Sequence, residues 1–279
     1  MTKDVIVRDY FENKQNSLWH LFFGLSLGII VLYIRYIFIR FIFNLSRNYF
    51  RIREDIYVNV NVITEEDLQY MLIPVDRPDL NNLCEESWRF LCATCIFSYG
   101  LYILYDKPWV LDLKECYYDY PFHEVTNDMW WFHMLNVAYY WSRIIIHYFS
   151  TQKENFKELF FRNMVLLVYL HLAWYVNLVR LGILAMFGMA FSDIINEMKK
   201  ALRLITYDIF WDFINIVLAL IWVMARELVF PIRIVYTFFV AGSEILGSKN
   251  TPTILIMHLL LYLIFIMDFV HPGFHWTLY

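Results

Sequence analysis

Seven apolar stretches divide this chain, and most of them approach the length of a lipid bilayer's hydrocarbon core. A spanning helix needs about 20 mostly apolar residues. Such runs occur at residues 18–43, 87–105, 129–149, 159–176, 178–195, about 204–240 and 254–270. The expectation is an all-α membrane protein that crosses the bilayer several times as a helical bundle. The run at 204–240 reads either as one helix bent near Pro231, where proline removes a backbone donor, or as two spans. The runs at 159–176 and 178–195 are joined by almost nothing, so they predict a tight antiparallel hairpin.

Composition excludes most alternatives. The chain is 60% hydrophobic and only 18% charged, whereas soluble domains carry about a quarter charged residues. Its net charge of -4 gives no polybasic surface for nucleic acid. The cysteines Cys84, Cys92, Cys95 and Cys116 do not form a disulfide framework. The Cys92-x-x-Cys95 pair lies in an apolar helical run, without the polar surroundings of a redox or zinc site, and reads as buried, inert thiols. The first apolar run is too long for a cleaved signal sequence and reads as an uncleaved span.

Basic residues orient the spans. Arg40, Arg47, Arg51 and Arg53 follow the first run, and Lys153, Lys157, Lys199, Lys200 and Arg203 fall in loops that alternate onto the same side. The positive-inside rule puts that side in the cytosol. The resulting organisation is a lumenal N-terminus and first transmembrane helix (residues 1–46) and a cytosolic linker (47–84). A core domain (85–271) and a short cytosolic tail (272–279) follow. Within the linker, Val58-Asn59-Val60-Asn61-Val62 alternates like a short strand, and a turn is expected around Pro74 and Pro78.

Several short blocks follow one another in the core. Glu86-Ser87-Trp88-Arg89-Phe90 opens its first helix, and Leu104-Tyr105-Asp106-Lys107-Pro108-Trp109 closes it. Asp112-Leu113-Lys114-Glu115-Cys116 and Tyr120-Pro121 lie in the loop beyond, and Tyr139-Tyr140-Trp141-Ser142 in the next helix. Then come Asn155-Phe156-Lys157-Glu158, Asn177-Leu178-Val179-Arg180, Ser192-Asp193, and Arg226 with Phe230-Pro231. In order and spacing this set resembles the ceramide synthases, TLC-domain enzymes that transfer an acyl group from acyl-CoA to the amine of a sphingoid base. The resemblance covers residues 85 to about 268. It implies six core helices plus one N-terminal anchoring helix, in the endoplasmic reticulum membrane.

The resemblance also implies where the chemistry belongs. The family carries two adjacent histidines and, later, a His-Asp three residues before a Ser-Asp. An imidazole with a pKa near neutrality suits both general-base and nucleophilic work on an acyl group. Here the first pair is Arg162-Asn163 and the second Met189-Ala190, while Ser192 and Asp193 are retained. Arginine is always protonated and asparagine has no useful pKa, so neither replaces a histidine. A further family histidine falls near Phe265. Arg162 has three readings: snorkelling to the interface, an ion pair with Asp193 or Glu197, or contact with the phosphates of an acyl-CoA. Asp212, Arg226 and Glu227 share that ambiguity.

The remaining histidines do not rebuild the site. His171 lies two turns from Asn163, ~12 Å deeper, and reads as a histidine hydrogen-bonded inside the bundle. His133, His147 and His258 read as packed or interfacial residues, and His271 and His275 as a weak metal pair in the tail. No metal or cofactor is expected, with acyl-CoA entering only as the family's co-substrate. The functional expectation is a ceramide synthase-like protein whose sphingosine N-acyltransferase activity is impaired or lost. The alternative is a non-enzymatic regulatory or lipid-binding partner of an active ceramide synthase. Expected partners are the bilayer, a sphingoid base and acyl-CoA, and another family member in a homo- or hetero-dimer.

Overall fold

The computed structural model describes residues 18–59, 77–110, 112–118, 120, 125–149, 156–203, 216–218, 220–221 and 255–264. Among them every regular element is helical. The long helices are α1 (Leu18–Asn59), α2 (Arg77–Leu104), α3 (Asn127–Phe149), α4 (Phe156–Tyr175) and α5 (Val179–Arg203). The apolar helix α6 (Leu255–Ile264) follows. The chain is an all-α, multi-pass membrane protein, as its apolar runs predict. Whether the run at 204–240 is one helix or two lies outside the described residues, as do Asp212, Arg226, Glu227, Phe265, His271 and His275.

Among the described residues three helical segments are long and apolar enough to cross a membrane: Phe22–Leu45, Cys84–Leu104 and Val179–Met198. The shortfall at α3 has a physical cause. It packs against α1, α2, α4 and α5, so it faces protein more than lipid and carries polar groups. His133, Asn136 and Ser142 are buried along it. Asn136 Nδ2 donates to the Phe132 carbonyl at 2.8 Å and Ser142 Oγ to the Tyr139 carbonyl at 2.7 Å. Those bonds offset the desolvation of the two side chains.

Two expectations for the N-terminal region are corrected. The first helix does not end at the membrane: α1 has 42 residues, or ~63 Å of helix, about twice a hydrocarbon core. Val58 and Asn59 are therefore helical and not the start of a strand, while 60–62 lie outside the described residues. The anchoring helix α1 packs along α3. Gly24 and Gly28 permit that approach. A Cβ on Gly24 would stand 2.6 Å from Val137 Cγ1, and one on Gly28 3.1 Å from Trp141 Cβ and 3.2 Å from the Ala138 carbonyl oxygen. Lipid tails are as apolar as leucine, so helices associate in a bilayer through close contact of this kind. At one end of α1, Phe23 adds a ring contact to Trp130, centroid to centroid 5.4 Å.

The hairpin expected between residues 159 and 195 is present. Asn177 adopts φ 64°, the left-handed conformation that ends helices. The Leu178 amide reaches back to the Ala173 carbonyl at 2.8 Å and the Asn177 amide to the Trp174 carbonyl at 3.2 Å. This pair of bonds closes the end of α4 within three residues and turns the chain into α5. From there the helices seek different neighbours: α4 packs mainly on α3, and α5 on α2.

The loop between α2 and α3 is folded against the bundle. Asp112 caps a short 3-10 turn, Leu113–Cys116, by accepting the Lys114 amide at 3.0 Å. Cys116 and Tyr117 are buried. Arg180 Nη1 donates to the Glu115 carbonyl at 3.0 Å, and the Tyr117 hydroxyl shares a 2.9 Å hydrogen bond with His258 Nε2. The loop thus fastens the start of α5 and the helix α6.

Candidate functional site

Arg162 and Asn163 lie one turn into the apolar part of α4, and Met189, Ala190, Ser192 and Asp193 on the facing half of α5. Arg162 Nη2 stands 3.8 Å from Asp193 Oδ1, with the side chains only 14% and 18% exposed. The ion pair is thus formed, and with Asp193. Glu197 is engaged elsewhere, accepting a 3.3 Å hydrogen bond from Arg89 Nε of α2.

The other positions are apolar or mute. Asn163 is wholly buried, and neither its Oδ1 nor its Nδ2 finds a hydrogen-bond partner among the described residues. Met189 and Ala190 are buried, and Ser192 Oγ donates to the Gly188 carbonyl one turn back at 3.0 Å. That bond satisfies the hydroxyl within its own helix. The cluster therefore presents two charges that neutralise each other, one unpaired amide and apolar surface. None of Arg162, Asn163, Met189 and Ala190 supplies a group that titrates near neutrality.

Among the described residues no histidine is hydrogen-bonded into this cluster, although His147 lies one turn beyond Arg143 on α3, within electrostatic reach of Arg143, Arg89 and Arg35. His171 donates Nδ1–H to the Leu167 carbonyl at 2.6 Å, the local bond expected of a structural histidine. His133 packs against the Trp174 ring, centroids 5.4 Å apart, and His258 is held by Tyr117. Among the described residues no three His, Cys, Asp or Glu side chains gather as a metal site. The cysteines are free, with Cys84 and Cys116 buried. Cys95, expected to be buried, is exposed on α2, where the outward surface of a spanning helix meets lipid.

Several polar residues around the cluster were not legible as a group. Tyr139 and Tyr140, which open one of the motif blocks, lie within electrostatic reach of Asp193. Arg143, on the same face of α3 as Tyr139, donates from Nη1 to the Tyr139 hydroxyl at 3.5 Å. Its guanidinium carbon sits 5.6 Å from that ring's centroid. The signal available in the sequence is an arginine inside an apolar run with a tyrosine four residues before it, one helical turn away.

Residues 82–271 match the family model described as the TLC domain. The chain belongs to the TLC-domain family. Its curated relatives in that family include human ceramide synthase 5, 27% identical over 61% of this chain and 43% of the relative. The Caenorhabditis elegans ceramide synthase hyl-1 is 30% identical over 53% and 40%, and bovine ceramide synthase 4 is 28% identical over 59% and 42%. The resemblance to ceramide synthases read from the motifs is borne out, and the matched stretch covers less than half the length of each of these relatives. Two of the motif blocks meet in this TLC domain: Arg180 of one holds the Glu115 carbonyl of the other.

Proposed function

We propose that this TLC protein binds lipid within its bundle but no longer transfers an acyl group to a sphingoid base, acting in ceramide metabolism as a non-catalytic member. The observation that carries this reading is the Arg162–Asp193 ion pair. Acyl transfer from a thioester to an amine needs a base or nucleophile that changes protonation near neutral pH. At the positions where the resemblance places three histidines and an aspartate, this chain has a permanent cation, an amide, a thioether and a methyl group. The retained Asp193 is engaged by the cation beside it and has no imidazole to orient. In this reading the protein resides in the endoplasmic reticulum membrane and modulates an active ceramide synthase through dimerisation.

The test is an N-acyltransferase assay on microsomes from cells lacking endogenous ceramide synthases, with long-chain acyl-CoA and sphinganine. The expected result is no turnover above the vector control. A variant restoring Arg162→His, Asn163→His, Met189→His and Ala190→Asp together serves as the gain-of-function arm. Robust turnover by the native chain would sink the proposal. Co-purification with an active synthase, and altered output of that enzyme on removal of this chain, tests the modulating role separately.

A further inference from the structure

Four arginines from four consecutive helices gather at the end of the bundle that the charge pattern assigns to the cytosol. Three have a carboxylate: Arg35 of α1 bonds Glu85, Arg89 of α2 bonds Glu197, and Arg162 of α4 pairs with Asp193. Arg143 of α3 has none. Among the described residues no carboxylate oxygen lies within 4 Å of it, and its contacts are the hydroxyl and ring of Tyr139. Tyr140, Asp193 and Glu197 act on it from further away. Arg143 and Arg35 both act on Cys92, Arg143 and Arg162 on Tyr140, and Arg143, Arg89 and Arg35 on His147 one turn beyond, so each of the other three shares a neighbourhood with Arg143.

A guanidinium offers five N–H donors in a rigid fork that matches phosphate oxygens two at a time. One long bond to a phenol leaves that fork largely unused. A charge among spanning helices without an opposite charge is costly, and such residues normally mark a partner. Depth argues for the source of the anion. Arg143 lies six residues before the end of α3 at Phe149, ~9 Å along the axis, near the level where lipid headgroups meet acyl chains.

We propose that Arg143, with Arg35, Arg89 and Arg162 around it, holds the phosphate-monoester headgroup of a membrane lipid. A monoester brings up to two negative charges and three strong acceptor oxygens, enough to engage this fork despite the nearby Asp193 and Glu197 carboxylates. A diester headgroup carries one charge and fewer free oxygens. The site centres on α3 and does not depend on whether acyl transfer is lost.

The experiment is retention of lipid by the full chain in phosphatidylcholine nanodiscs containing a minor fraction of phosphatidic acid, read by native mass spectrometry. The native chain is expected to retain phosphatidic acid over phosphatidylcholine and phosphatidylserine. Arg143→Met should weaken retention about tenfold, Arg143→Lys less, because a point charge keeps the attraction but loses the fork. The exposed Arg40→Met is the control and should change nothing. Thermal stabilisation of the native chain by phosphatidic acid gives a second readout if Arg143→Met does not fold. Millimolar inorganic phosphate should not displace the lipid. Displacement by phosphate or coenzyme A, equal retention of phosphatidylserine, or full retention by Arg143→Met would each overturn the proposal.

Discussion

Arg162 and Asp193 face one another across the α4–α5 hairpin, Nη2 to Oδ1 3.8 Å. The separation is too long for a hydrogen bond but short for charges so little exposed. Removing the carboxylate should hurt more than removing the cation, because a buried guanidinium cannot shed its charge whereas a carboxylate can take up a proton. We expect Arg162→Met to cost about 1–2 kcal/mol and Asp193→Leu about 2–4 kcal/mol, because the latter leaves the little-exposed Arg162 guanidinium without its ion pair. The double variant should recover part of the loss, with a coupling energy of about 0.5–3 kcal/mol. Thermal or denaturant unfolding in nanodiscs reads these differences, and additive single-site effects would dismiss the pair as energetically idle.

Asn163 makes the opposite prediction. A wholly buried amide with both polar atoms unpartnered lowers stability by its uncompensated desolvation. Asn163→Leu, close in volume, is expected to raise stability by about 1–2 kcal/mol. A loss of similar size would instead mean that the amide is hydrogen-bonded to a bound molecule, and would direct attention to lipid extracted with the protein.

How much of this was legible beforehand follows from what each signal depends on. The helical bundle was readable because run length and apolarity report spanning helices directly, and the near-absence of a linker between runs 159–176 and 178–195 marked the hairpin turn. The absence of histidine at residues 162, 163 and 189 was readable because identity at a motif position needs no geometry. The Arg162–Asp193 and Arg89–Glu197 pairings were not, since the two acids on α5 lie about a turn apart and only helix register decides between them. The docking of α1 was equally hidden. Helix and lipid are both apolar, so hydrophobicity does not distinguish a packed span from a free anchor, and only the Gly24–Gly28 spacing carries the information.

That spacing is testable. Gly28→Leu places a side chain against Trp141 and the Ala138 carbonyl, where neighbouring backbone has little freedom to retreat. Overpacking of this kind costs about 1–3 kcal/mol, and here the simplest relief is separation of α1 from α3. Ser26→Leu, at an exposed position between the two glycines, should be neutral. Disulfide trapping between cysteines introduced at Gly24 and Val137, whose Cβ positions lie 3.5 Å apart, checks contact: strong in the parent, lost with Gly28→Leu, and unaffected by Ser26→Leu.

The loop beyond α2 supplies a pH prediction. Burial pushes the Cys116 thiol up to about 12 from an ordinary value of 9.0, more strongly than the nearby Arg180 pulls it down. Burial also pushes the Tyr117 phenol up. A group whose folded pKa exceeds its unfolded value favours the folded state fully below the unfolded pKa. That contribution declines as the unfolded chain ionises first, and is gone once pH passes the folded value. For Cys116 the window runs from about pH 9 to about pH 12, with a slope approaching about 1.4 kcal/mol per pH unit. Stability attributable to this thiol should be flat from neutrality to about pH 9, and Cys116→Ala should flatten the alkaline limb of the unfolding curve. In a variant whose other cysteines are replaced, Cys116 should resist a water-soluble maleimide at neutral pH until the protein unfolds. Rapid labelling of the folded chain would mean that the loop opens, and that the Arg180–Glu115 and Tyr117–His258 bonds do not hold it closed.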